Sequence, residues 1–249
     1  MRQVLAITGR ELRAAFESPV AYATILIFVL VSAGLFYLVG MPIGGMPLPS
    51  LWEGGEASLV VLLAWMPLSL GLLVPALCMG SWTEERRAGT EELFLTFPLR
   101  ASQLVLGKFL AHTVIVSLLL LLTVLPIAWT VETLGDLDRG TALVGLLGAM
   151  LLGAAYVSLA LLVSACATDP LVAFLLSALL LLGLWLVRMV VELFPADLAE
   201  SIDGLTPGAH FMGSAVRGVL DGGDLIYGLT LICAALLLNT WVVEGRRER

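Results

Sequence analysis

Charge is scarce in this sequence. Only 13% of its 249 residues are Asp, Glu, Lys or Arg, where a soluble domain carries roughly a quarter, and this excludes an ordinary water-facing globule. Cysteine is sparse as well: Cys78, Cys166 and Cys233 lie far apart and outside any CxxC pair. That spacing argues against a disulfide framework or a zinc site and reads all three as small buried side chains. Aromatic residues make up 8% of the chain, and histidine occurs twice, as His112 and His210. What is abundant is aliphatic. Hydrophobic residues reach 59% and the mean hydropathy is +1.02. The net charge of −7 is scattered; it identifies no basic partner, and no nucleic acid is expected.

Six apolar runs, at about 20–40, 58–80, 104–129, 141–167, 171–191 and 225–243, are each long enough to cross a hydrocarbon core of about 30 Å as a helix. The expectation is an all-α polytopic membrane protein with one transmembrane domain over 1–249 and no soluble domain. Arg2, Arg10 and Arg13 precede the first run, which is too long for a signal peptide and reads as an uncleaved span. An even number of spans puts both termini on one side. Most arginines, with Lys108, then share that side, and the positive-inside rule makes it cytoplasmic. Trp52, Trp82, Trp129 and Trp241 at run ends are expected at the headgroup level. Asp169-Pro170 predicts a capped, tight hairpin between spans four and five. Gly145, Gly148, Ala149 and Gly153 share a face of the fourth span where a neighbour can approach closely.

Three further regions stand out. In residues 1–18, Met1, Leu5, Leu12 and Phe16 share a helical face beside the arginines, as in an amphipathic helix lying along the membrane surface. Residues 81–103 pack Glu84, Glu85, Arg86, Arg87, Glu91 and Glu92 ahead of Leu93, Phe94, Leu95 and Phe97. Residues 194–224 offer Thr206-Pro207 as a helix start, with Met212, Ala215, Val216, Val219 and Leu220 at helical spacing. That stretch is too short to span, so an interfacial or re-entrant helix is expected.

Catalytic motifs are missing. Gly107-Lys108 is followed by Phe109 and has Ser102 where a P-loop needs glycine. Glu84-Glu85 lacks the arginine of an EExxxR protease signature, since Gly89 occupies that position. His112 reads as a packing residue, and His210 stands alone. Lys108 and Arg188, near span ends, can snorkel to the interface, which leaves the midplane without ionisable groups. This counts against an ion-coupled carrier, and no filter or charged ring suggests a channel.

The run Glu84 to Ala111, EERRAGTEELFLTFPLRASQLVLGKFLA, resembles the signature of the ABC-2 type permeases, in particular the gliding-motility-associated (GldF-like) subfamily. Glu84, Glu85, Arg86, Gly89, Thr90, Glu91, Leu93, Thr96, Pro98, Val105, Leu106, Gly107 and Lys108 match it, while Glu92 and the stretch Met79 to Thr83 depart from it. Ser18 to Tyr22 (SPVAY) and His210 to Tyr227 (HFMGSAVRGVLDGGDLIY) are similar to the same family. The resemblance implies a permease subunit of an ATP-binding cassette exporter in a prokaryotic cytoplasmic (inner) membrane. Its partners would be a separate ATPase subunit that carries ATP and Mg, a second permease subunit in a homo- or heterodimer, and an extracytoplasmic auxiliary protein. This chain would itself hold no cofactor and no metal. Glu84, Glu85, Arg86, Arg87, Gly89, Thr90, Glu91, Leu93 and Thr96 would form the coupling helix between spans two and three, and Arg2, Arg10 and Arg13 would lie on an N-terminal elbow helix. A membrane anchor or assembly factor that recruits a soluble partner through the same loop is the competing reading.

Overall fold

The computed structural model describes residues 2–39, 41–43, 46–48, 58–89, 100–191 and 204–247. Ten helices follow in order among them: α1 Arg2–Glu17, α2 Pro19–Leu38, α3 Val60–Ala64, α4 Met66–Cys78, α5 Gly80–Arg87, α6 Ala101–Leu134, α7 Arg139–Cys166, α8 Pro170–Val191, α9 Pro207–Gly213 and α10 Gly222–Arg247. Six stretches are long and apolar enough to cross a membrane: α2, α4 with α5, α6, α7, α8 and α10. The chain is an all-α polytopic membrane protein. A short antiparallel hairpin, β1 Met41–Ile43 with β2 Met46–Leu48, follows α2. Triplets of this length show no alternation in sequence.

Local chemistry sets the helix ends. Ser18 accepts from the Val20 amide with Pro19 in the first turn of α2, Asp138 accepts from Gly140 and Thr141 at the start of α7, and Asp169 accepts from the Leu171 amide at 2.8 Å ahead of α8. Each side chain satisfies amides that have no partner within the helix. The second apolar run breaks at Trp65 between α3 and α4, where Pro67 has no amide to donate and crowds the preceding turn.

Helix α7 is the hub, with two-thirds of its most apolar window buried; the figure is near a quarter for α2, α8 and α10. Its glycines admit three different neighbours rather than one. A Cβ added at Gly145 would lie 2.2 Å from Leu63 of α3, at Gly148 2.3 Å from Ala215, and at Gly153 2.8 Å from Val116 of α6. Helix α10 joins through glycine as well, Gly228 taking Leu151 of α7. Such close approach replaces the hydrophobic drive that lipid does not supply. The outer faces of α2, α8 and α10 expose Leu26, Leu30, Leu175, Leu179, Leu229 and Leu237, the surface expected where the solvent is hydrocarbon.

Helix α9 dips into the bundle. Phe211 and Met212 are buried, Phe211 against Gly148, which lies nine residues, or roughly 14 Å, inside the start of α7. The apolar side chains of α9 are taken up by the bundle. The helical spacing does not run on to Leu220: the chain passes through a 3-10 turn, Ala215–Arg217, and Gly218 takes φ 78° against Thr141. Val219 and Leu220 are therefore exposed. Thr206 contributes its carbonyl to the Ala209 amide and not a side-chain cap.

Other expectations are corrected. Trp129 and Trp241 are about three-quarters exposed at helix ends, but Trp82 is 3% exposed inside the bundle; Trp52 lies outside the described residues. Cys78 is buried, whereas Cys166 and Cys233 face outward, where a thiol tolerates lipid. On α1 the face toward the bundle is Ile7 and Thr8, and Leu5 and Phe16 point away from it.

Replacing Gly153 by Leu should overpack the α6–α7 seam and lower stability by about 1–3 kcal/mol. Gly34→Ala, with nothing within 4 Å of the added carbon, should leave it unchanged or slightly raised. Thermal unfolding in detergent micelles checks both; equal midpoints for the two variants would contradict the close-packed seam.

Candidate functional site

The charges of the EERR run stand on a helix continuous with a span. Met79, at φ −56° and ψ −40°, is helical at the junction of α4 and α5, so the second span carries on to Arg87 without a loop. Successive residues on such a helix point about 100° apart, and the four charges accordingly go four ways.

Glu84 is exposed and folds back over Gly80. Glu85 turns toward α6 and accepts from Lys108 Nζ at 2.9 Å. Arg86 donates to the carbonyls of Ala165, at 3.1 Å, and Ala167 at the end of α7. Arg87 pairs with Asp169 at the start of α8. Arg246 of α10 also donates to Ala165 O. Two guanidinium groups thus cap the carbonyl end of α7, where the helix dipole favours cations. Ser164 donates to Met79 O at 3.1 Å and tightens the same junction.

Lys108 lies at the centre of this end. It is the one lysine of the chain, 1% exposed, and its three ammonium hydrogens meet Ser81 O at 2.6 Å, Glu85 at 2.9 Å and Glu11 at 3.3 Å. The Trp82 ring lies 4.9 Å below it, a cation–π contact. Lys108 therefore does not snorkel: α1 and α5 close over it before it can reach water. Helix α1 gets this near because Gly107 has no side chain. A Cβ there would fall 2.5 Å from Ile7, and Thr8 donates to Gly107 O at 3.2 Å. Arg10 completes the cluster, 2.5 Å from Glu11 and 3.0 Å from Glu85. Burial works to raise the Glu11 carboxyl, but Lys108 and Arg10 outweigh it and hold Glu11 below its ordinary range.

Of the residues singled out in sequence, Glu84, Glu85, Arg86 and Arg87 thus share one helix, and Gly89 ends it at φ 67°, the left-handed conformation glycine adopts freely. Thr90, Glu91, Leu93 and Thr96 lie outside the described residues. On α1 only Arg10 joins the cluster, while Arg2 and Arg13 are exposed. Sequence reasoning missed Glu11, Ser164, Asp169 and Arg246 as partners, though Gly107-Lys108 was already visible as a motif. His112 is buried beside the cluster, its Nδ1 donating to Lys108 O at 2.9 Å. His210 is not alone: Asp224 and Tyr227 flank it. No group of His, Cys, Asp and Glu suited to a metal occurs among the described residues.

Six helices long and apolar enough to cross a membrane define a multi-pass membrane protein, with the Lys108 cluster at one end of its bundle. A family model for "ABC-2 family transporter protein" matches residues 53–242, about three-quarters of the chain and all of α3 to α9, and the chain belongs to that family. No curated protein matches. Membership makes the chain the membrane component of the transporter, not itself catalytic, and implies partnership with an ABC ATPase.

Lys108→Met should loosen α1, because Glu11 and Glu85 lose their buried counter-charge and keep the partly exposed Arg10, at a cost of about 1–3 kcal/mol. Trypsin should then cut after Arg10 and Arg13, which the wild type protects; combining Lys108→Met with Glu11→Gln and Glu85→Gln should restore part of the protection. The hold on α1 should also depend on pH, read as amide hydrogen-exchange protection factors because trypsin does not work in acid. Folding lowers Glu11, so its contribution is complete above the ordinary carboxyl value of 4.5 and is lost as pH falls through the depressed folded value. Unchanged protection in Lys108→Met would contradict the cluster's role.

Proposed function

We propose that this chain is the permease subunit of an ABC exporter of the gliding-motility-associated subfamily, assembled with a second permease subunit and a separate ATPase that binds ATP and Mg. The end carrying Arg10, Arg86, Arg87 and Arg246 faces the cytoplasm of a prokaryotic cell, with α1 as the elbow helix. The segment from Glu84 to Thr96 receives the motion of the ATPase, and the spans alternate access in response.

One observation carries this reading. The second span continues as helix into Arg87, and α5 is bound to α1, α6, α7 and α8 through Glu85, Arg86 and Arg87. A displacement applied just beyond Arg87 therefore reaches four helices at once through short polar contacts, rather than being absorbed by a loop. The concentration of arginine at this end supports the cytoplasmic orientation.

Glu84 is the clean probe, since it is exposed and has no part in the Lys108 cluster. In the purified complex, Glu84→Arg should lower permease-stimulated ATP hydrolysis and transport at least about tenfold, as expected when an interface charge meets its own sign, while the thermal midpoint of the permease stays put. Full stimulation and transport in the variant would overturn the coupling role. Failure of any P-loop ATPase to copurify with the wild type would favour the anchor or assembly-factor reading.

A further inference from the structure

Beside the Lys108 cluster the bundle is hollow. A cavity of about 390 Å³ lies between α1, the start of α2, the α4–α5 junction and α6, a volume in the range of small-molecule sites. Its walls change character with depth. The rim carries Arg10, Glu11, Glu84, Glu85 and Lys108, whereas the floor is Ala21, Ala76, Leu77 and Ile115. Ile115 is two turns further along α6 than Lys108, about 10 Å deeper into the bundle. His112, between the two, is already bonded to the Lys108 carbonyl. No side chain of the floor can hydrogen-bond to water, so this part of the cavity suits an apolar occupant.

The cavity opens sideways. Ala14 and Val20, on either side of the Ser18–Pro19 corner, line it and are exposed on the outer surface. Next to them Phe16 and Tyr22, both exposed, meet edge to face with ring centroids 6.2 Å apart. Aromatic side chains of this kind settle at headgroup depth, the depth at which an amphipathic helix such as α1 also lies. Lipid is therefore what the mouth faces.

The rim is not neutral. Lys108 and Arg10 balance Glu11 and Glu85. Glu84 is left over, with no ion pair among the described residues. Its carboxylate bends back over Gly80, where an added Cβ would lie 2.6 Å from Oε1, and both residues line the cavity. The rim thus has one carboxylate to offer a cation from outside, while an anion would meet its own sign.

We propose that the cavity holds one phospholipid whose headgroup carries a primary ammonium, phosphatidylethanolamine, as a resident ligand. The ammonium donates to Glu84 and Arg10 faces the phosphate. The glycerol end and the first carbons of a chain fill the floor, and the rest of the lipid runs out past Val20 into the bilayer. So held, it occupies the wedge between α1 and the spans that side-chain packing leaves empty.

Native mass spectrometry of the full-length protein counts the bound lipid. The purified chain is reconstituted into vesicles of phosphatidylethanolamine and phosphatidylglycerol in equal parts, or of phosphatidylcholine and phosphatidylglycerol, and then extracted into mild detergent. The wild type should retain one phosphatidylethanolamine per chain, favoured about fivefold or more over phosphatidylglycerol. It should retain less phosphatidylcholine, whose quaternary ammonium has no hydrogen to donate. Glu84→Gln should abolish the preference, and Ala76→Phe, which fills the floor and leaves Glu84 in place, should abolish retention. Free phosphoethanolamine should not displace the lipid, because it lacks the chain that the floor takes. Equal retention of both lipids by the wild type, retention of neither, full retention in Ala76→Phe, or displacement by phosphoethanolamine would overturn the proposal. Where Ala76→Phe lowers the thermal midpoint, the wild-type preference and its loss in Glu84→Gln decide. None of these readings involves the ATPase, so they stand apart from the coupling test at Glu84.

Discussion

The ammonium of Lys108 is where a polar requirement and a packing requirement coincide. A lysine buried to 1% exposure in a helix that crosses the membrane is tolerable only if every hydrogen is taken and the charge is matched. Two carboxylates and one carbonyl do this, one from α1 and two from α5. Satisfying one residue therefore fixes α1, α5 and α6 relative to one another. Gly107 makes the geometry possible by letting α1 approach to side-chain-free distance. Arg86 and Arg246 extend the network to the carbonyl end of α7 and Arg87 extends it to α8, so one end of the bundle is a continuous polar lattice in an otherwise aliphatic protein.

The remainder of the molecule is assembled by different means. Along α7 the contacts are between glycine or alanine and aliphatic or aromatic side chains, with Tyr156, Ala149 and Leu161 fully enclosed. Steric fit of this kind is rigid in each helix but leaves the helices able to slide or tilt along apolar seams. Polar anchoring at one end and apolar seams through the middle are a reasonable arrangement for a part that takes up force at one place and responds at another. Polar contacts recur at the other end, where His210 meets Asp224 and Arg139 meets Glu132.

Much of this was legible in the sequence. Long apolar runs give six spans because lipid leaves the backbone no other option, and the cap at Asp169 is a chemical signature that survives without tertiary context. Pairings over long separations were not legible. Glu11 is an unremarkable residue of an amphipathic segment until Gly107 brings its helix onto α6, and no local pattern says that Arg246 meets Ala165. Lys108 misled for the same reason: near a span end a lysine ordinarily reaches water, and only the arrival of α1 and α5 removes that route. Trp82 looked like an interface marker because its position along the chain, not its direction, was what the sequence showed. On α1 the conspicuous apolar face belongs to the surroundings, while the bundle takes the smaller, mixed face of Ile7, Thr8 and Glu11.

The central claim is that α1 and α5 form one body locked around Lys108. It is tested most directly by the distance between spin labels placed at Arg13 and Ala88, both exposed, with Cys166 and Cys233 replaced by Ala. In the assembled transporter a single narrow distribution is predicted, the same without nucleotide and with ATP bound. A distribution that broadens or shifts on ATP binding would contradict the account.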